Sequence, residues 1–164
     1  MTQLPSQLAV LEAVVGQTVA AIGLIQYVYQ DVVDDSDCFL QLTMKTGSVV
    51  LLSTGQGGEL VRVDDKPWED PFAEPLDDVN REYVRTSGKW PFFDVSTRDD
   101  MAPLIGEALH EIRPIVAVDR PDRLRGVQLH SGATFLNYFI EWDEAYLTWG
   151  QGHNKLREFG FVVI

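Results

Sequence analysis

Only one cysteine, Cys38, is present, so no intrachain disulfide can form and the fold rests on its core alone. Long apolar runs are missing too. The longest wholly apolar window, Val19 to Ile25, falls far short of the ~20 residues that span a bilayer. The first sixteen residues hold no Lys or Arg, so they lack the charged start of a secretory signal. Together these absences lead us to expect a soluble cytoplasmic protein in a reducing compartment, with no membrane partner.

Catalytic and cofactor signatures are absent as well. There is no Gly-x-Ser-x-Gly elbow, no His-Glu-x-x-His and no Gly-Lys-Ser/Thr phosphate loop. Gly55-Gln56-Gly57-Gly58 has Leu60 where a dinucleotide fingerprint needs its third glycine, and a strand follows. These glycines read as conformational. The three histidines, His110, His130 and His153, have no metal-ligand spacing. Cys38 alternates with Leu40 and Leu42 on the inward face of a strand, beside Asp35 and Asp37, which is a setting for a core thiol and not for a nucleophile. No catalytic residue, cofactor or metal is assigned.

Positive charge is scarce: 13 basic residues face 25 acidic ones, for a net charge of −12. Such a field repels nucleic acid and speeds encounter with basic surfaces. The basic cluster Arg113, Arg120, Arg123 and Arg125 is interrupted by Asp119 and Asp122. No nucleic-acid partner is expected.

The length of 164 residues suits a single domain over 1–164 that buries roughly 68–70% of its unfolded surface. Leu4, Leu8, Leu11 and Val15 have helical spacing, ended by Gly16. Residues 17–30 are rich in β-branched and aromatic types and read as a strand, which the acidic stretch Asp31 to Asp37 interrupts. Cys38 to Lys45 alternates cleanly and returns through Thr46-Gly47-Ser48 as a hairpin. A short helix is expected from Pro75, with Leu76, Val79 and Tyr83 on one side and Gly88 ending it. A longer one is expected near Leu104 to Ile112, with N-cap oxygens offered by Ser96, Thr97, Asp99 and Asp100. Arg120-Pro121-Asp122 reads as a turn, Gly126 to His130 and Thr134 to Trp142 as a second hairpin, and the terminal Phe159 to Ile164 as a buried strand. The expected fold is α+β: β-rich halves over about 17–63 and 113–164, with an acidic, Pro-rich excursion and helical segment over about 64–112 between them. One antiparallel or mixed sheet of about six to eight strands carries two or three helices on one face.

A faint echo runs through the chain. Gln41-Leu42 followed by Thr46-Gly47 resembles Gln128-Leu129 followed by Ser131-Gly132, and Thr54-Gly55-Gln56-Gly57 resembles Trp149-Gly150-Gln151-Gly152. The offsets disagree, 87 against 95, so duplication and shared turn chemistry both remain open.

Two places are candidate sites. From Asp64 to Glu82, eight acids face two bases, a balance of −6 and half of the chain's net charge. Within this segment Asp64, Asp65, Trp68, Glu69, Asp70, Phe72, Glu74, Asp77 and Asp78 make a proline-stiffened, aromatic-bearing rim suited to a basic protein partner. The alternative is a solvated loop whose aromatics fold back onto the core. The second place holds His130, Asn137, Glu141 and His153, which share the second β region and could line a small-ligand pocket or serve a hydrolase. The reading that leads is a non-catalytic acidic binding protein. Bacterial immunity proteins that neutralise basic toxins have this physical profile, an analogy of charge and size and not of motif. Exposed strand edges leave a homodimer possible.

Overall fold

Alternation of period two dominates the chain, and ten strands form among the described residues. The computed structural model describes residues 4–55, 57–132, 134–150 and 153–164, the side chains of His153 and Asn154 excepted. Helix α1 (Leu4–Glu12) leads into β1 (Val19–Tyr29), β2 (Val32–Met44), β3 (Val49–Thr54) and β4 (Val61–Asp64). Helix α2 (Asp78–Ser87) and β5 (Phe92–Asp94) follow. A 3-10 turn at Ala102–Leu104 opens a second series: β6 (Leu109–Ala117), β7 (Arg120–Ser131), β8 (Thr134–Glu141), β9 (Glu144–Trp149), α3 (His153–Glu158) and β10 (Phe161–Val163).

The strands make two five-stranded antiparallel sheets, ordered β4-β3-β2-β1-β5 and β9-β8-β7-β6-β10. Each half is therefore the same unit: four meandering strands, a helix, and a fifth strand that returns beside the first. The segments that lead into β1 and β6 also pair with each other. Thr18 bridges Ala108, 90 positions away. The Gly16 N–H donates to the Leu109 carbonyl (2.7 Å), and the Gly106 N–H to the Val19 carbonyl (2.9 Å). Likewise Leu109 donates to Gln17 and Val19 to Glu107, each at 2.9 Å. Adding or subtracting 90 converts each bond into its mate, so a local two-fold axis passes between Thr18 and Ala108. Gly16 and Gly106 adopt φ of 82° and 85°, the left-handed region that glycine enters without steric cost. The residues leading into them match too: Leu11 and Val14 in one half, Met101 and Leu104 in the other, are all buried.

The two parts of the echo fall differently in the fold. Gln41 and Gln128 occupy equivalent places, since each pairs with the strand before it (at Gly23 and Arg113) and the strand after it (at Leu51 and Asn137). The Gly-Gln-Gly resemblance is not an equivalence: Gly55 lies between β3 and β4, whereas Gly150 follows β9, the counterpart of β4.

The sheets pack face to face and not as the single expected sheet. Ile22, Leu24, Leu40, Leu42 and Met44 from one meet Val127, Leu129, Leu136, Tyr138 and Ile140 from the other in a continuous core. Burying side chains of this kind contributes roughly 1.5–3 kcal/mol each. Tyr138, fully buried, donates its hydroxyl across the interface to the Cys38 carbonyl at 3.0 Å. The helices do not share one face either. Helix α1 packs beside β4, α2 against β1, and α3 beside β10.

Three local expectations are corrected. The helix near Leu104 to Ile112 is limited to the 3-10 turn, because Gly106 turns the chain left-handed and Leu109 begins β6. The acidic stretch after Asp31 does not end the strands, although the β1–β2 register shifts across it, between the pairs Gln26–Cys38 and Val28–Val33. Gln30 and Asp31 (φ 51° and 62°) form a two-residue hairpin turn, and β2 starts at Val32. Arg120 already lies in β7, so the turn falls at Val118 and Asp119. At the N-terminus, Leu11 and Val14 point inward while Val15 is exposed. The hairpins at β2–β3 and β7–β8 and the helix ended by Gly88 stand where the sequence places them, though α2 begins at Asp78 and not at Pro75. The terminal strand is shorter and less buried than expected: only Phe161–Val163 pair, Phe161 alone of them is buried, and Val162 and Ile164 are exposed.

Candidate functional site

The acidic excursion is what most separates the halves. Residues 65–77 join β4 to α2, whereas in the second half only 150–152 join β9 to α3. The extra chain lies over the outer face of the first sheet. The Trp68 backbone N–H donates to Oε1 of buried Gln41 at 2.7 Å, and its indole N–H to the Trp90 carbonyl at 3.0 Å. Its ring meets Phe39 edge-on at 5.7 Å, while Phe39 stacks on Trp90 at 5.0 Å. Phe72 stacks on Tyr83 of α2 at 5.1 Å. Trp68 thus anchors the segment to the sheet.

The acids divide into two groups. Several hold the chain in place: Asp77 caps α2 by accepting from the Asn80 N–H (2.7 Å), and Asp70 and Glu74 accept from the N–H groups of Phe72 (2.8 Å) and Leu76 (2.9 Å). Asp64 pairs with Arg62 (2.8 Å), Asp78 with Arg81 (2.9 Å) and Asp70 with Lys89 (3.5 Å). Asp65 and Glu69 are exposed, with no hydrogen bond or ion pair among the described residues. Asp65 also borders a cleft of about 410 Å³ between α1 and β3, otherwise lined by small and apolar side chains such as Val10, Val14 and Val49. Helix α2 buries no residue; Val79 is 78% exposed and Tyr83 52%.

The second candidate set lies on the outer face of the second sheet. The His130 ring nitrogen Nε2 bonds Gln128 Oε1 (2.6 Å), Gln128 Nε2 donates to Asn137 Oδ1 (2.8 Å), and Asn137 Nδ2 donates to Thr148 Oγ1 (3.1 Å). The ring stacks on Phe135 at 5.1 Å. Burial, then nearby Arg113, pushes the imidazole below its ordinary value, and Glu111 partly offsets this. Asn137 is wholly buried. Glu141 lies six residues beyond the partner of His130 along β8, about 20 Å away at strand spacing. There it forms a partly buried pair with Arg125 (2.6 Å), whose guanidinium lies 5.0 Å from the centre of the Phe161 ring. His130 and Asn137 are therefore joined, and Glu141 belongs to a separate cluster with Arg125. His153 opens α3, and its side chain lies outside the described residues. No group of three or more His, Cys, Asp or Glu among the described residues is arranged to hold a metal ion. No helix among them is long and apolar enough to cross a membrane.

Two features escaped the sequence reading. The Arg125–Glu141 pair joins residues sixteen apart that only the β7–β8 register brings together. Trp142, 82% exposed, occupies the tip of the β8–β9 hairpin with φ 52°, followed by Asp143 at 66°. A two-residue linker between strands was the available signal, though Trp-Asp is not a pair that turn statistics favour.

The fold and these faces define a class: a two-sheet antiparallel α+β sandwich whose halves share one strand order. No known protein family, no curated protein and no solved structure matches the chain.

Proposed function

We propose that the protein is a non-catalytic binding protein that captures a basic protein partner through the acidic excursion and the adjoining face of α2. The supporting observation is that the insertion in an otherwise repeated scaffold is where charge and unburied apolar side chains coincide. The span Asp64 to Glu82, which holds the insertion and the start of α2, carries a balance of −6, and Val79 and Tyr83 stand exposed on α2. Trp68 and the capping acids hold the segment in one shape before any partner arrives, which lowers the ordering cost of association. Asp65 and Glu69 steer the encounter, and Tyr83 supplies an aromatic contact of the kind that dominates interfaces.

The reading is tested by low-salt capture from the native host, then by measuring affinity for the captured protein against salt. The expected partner is basic, and its binding weakens steeply as the Debye length shrinks from about 10 Å at 0.1 M to 3 Å at 1 M salt. Asp65→Asn with Glu69→Gln slows association by about two- to tenfold, and Tyr83→Ser speeds dissociation. A partner held equally well at 1 M salt, or unaffected by all three changes, sinks the proposal.

A further inference from the structure

Trp142 is placed against two separate preferences. Its side chain is 82% in solvent, and its backbone sits at φ 52°, a region that bulky residues avoid and that hairpin turns fill with Asn, Asp or Gly. The other three tryptophans, Trp68, Trp90 and Trp149, are all partly buried. Neither folding nor turn formation accounts for an indole at this site.

The hairpin that carries it is held firmly. The Asp143 carboxylate fills the space where a Cβ on Gly58 would stand, so the tips of the equivalent β3–β4 and β8–β9 hairpins meet. Just beyond the turn, the Ala145 N–H donates to Asp37 Oδ1 at 2.9 Å. The tip therefore presents its indole from a fixed base. Acids outnumber bases around it: Glu141, paired with Arg125, precedes the ring, Asp143 and Glu144 follow it, and Glu59 adjoins Gly58; Asp143, Glu144 and Glu59 are exposed with no cation paired to them among the described residues.

We propose that Trp142 is a docking point for a cationic side chain, Arg or Lys, projecting from a basic protein. The indole face attracts the cation, and the neighbouring carboxylates complement its charge. The inference rests on the partner being basic, as proposed above, and adds a contact on a different element from the excursion.

The test uses an arginine-rich peptide as the probe and the full chain as receptor, with tryptophan fluorescence and calorimetry as readouts. Trp142→Asn is expected to weaken peptide binding about tenfold, while Trp142→Phe retains most of it. Trp142→Asn also raises the unfolding midpoint, because Asn accepts this backbone region; a retained fold is thereby verified in the same sample. Asp65→Asn with Glu69→Gln serves as the comparison. If it weakens binding and Trp142→Asn does not, the excursion reading stands and the Trp142 proposal is wrong. Equal binding by every variant, or none by the wild type, overturns it as well.

Discussion

Burial pushes the Cys38 thiol up to about 12, and the adjacent Asp37 raises it further than Arg98 lowers it. Alternation along β2 was enough to read this residue as core. We expect it to resist a disulfide reagent at pH 8 in the native protein and to react stoichiometrically once unfolded; rapid native labelling contradicts the burial. Asp37 shifts in the opposite sense to Asp34, Glu82, Asp94 and Glu111, whose hydrogen bonds hold them below the ordinary carboxylate range. Its pKa is raised, first by burial, and Asp34 and Glu144 add repulsion, while the N–H groups of Ala145 and Cys38 partly compensate. Since the folded value lies above the unfolded one, the stability linked to its proton is full below the unfolded value. That stability is lost as pH rises through the folded value. Asp37→Asn keeps an acceptor for Ala145 without the charge, so thermal melts at pH 7 should shift upward by about 1–2 °C. A fall in the midpoint at pH 7 rejects this account. Nothing in the sequence told Asp37 apart from Asp34 or Asp35, because its position depends on β9 crossing β2.

Among the elements, the hairpins and the Gly88-terminated helix were legible because local signals specify them: alternation, turn glycines, an N-cap aspartate. The helix expected near Leu104 failed because its apolar spacing fits either a helix or a bulged strand, and one glycine at positive φ decided between them. That reasoning can be checked directly. Gly16 and Gly106 have open space where a Cβ would go, so alanine at either site costs only the left-handed strain, about 1–2 kcal/mol. Denaturant melts of the two variants should show similar losses, as the two-fold relation implies; a neutral Gly106→Ala refutes it. Helix α2 offers the contrary case. With no residue buried, Val79→Ser should change stability by less than about 0.5 kcal/mol, and a larger loss in the same melts would mean that α2 packs more closely than described.

For the whole molecule, the core is shared between halves that each have an unburied inner face when alone. Fragments 1–98 and 99–164 should each lack a cooperative transition and recover one when mixed, as followed by circular dichroism. Independent folding of either fragment would show that the shared core is dispensable. Amino-acid order alone determined the α+β character, the strand-rich halves, the core thiol, the acidity and its concentration between Asp64 and Glu82. These follow from local periodicity and composition, which any reading of the chain can count. Only tertiary structure decided that the strands form two facing sheets of one strand order, that Trp68 turns inward while Tyr83 and Trp142 stay out, and that Asp65 and Glu69 remain unpaired where their neighbours are used as caps. A strand with one apolar face fits a single sheet under helices as well as a sandwich. The choice lies in which distant face covers it, and no local spacing encodes that.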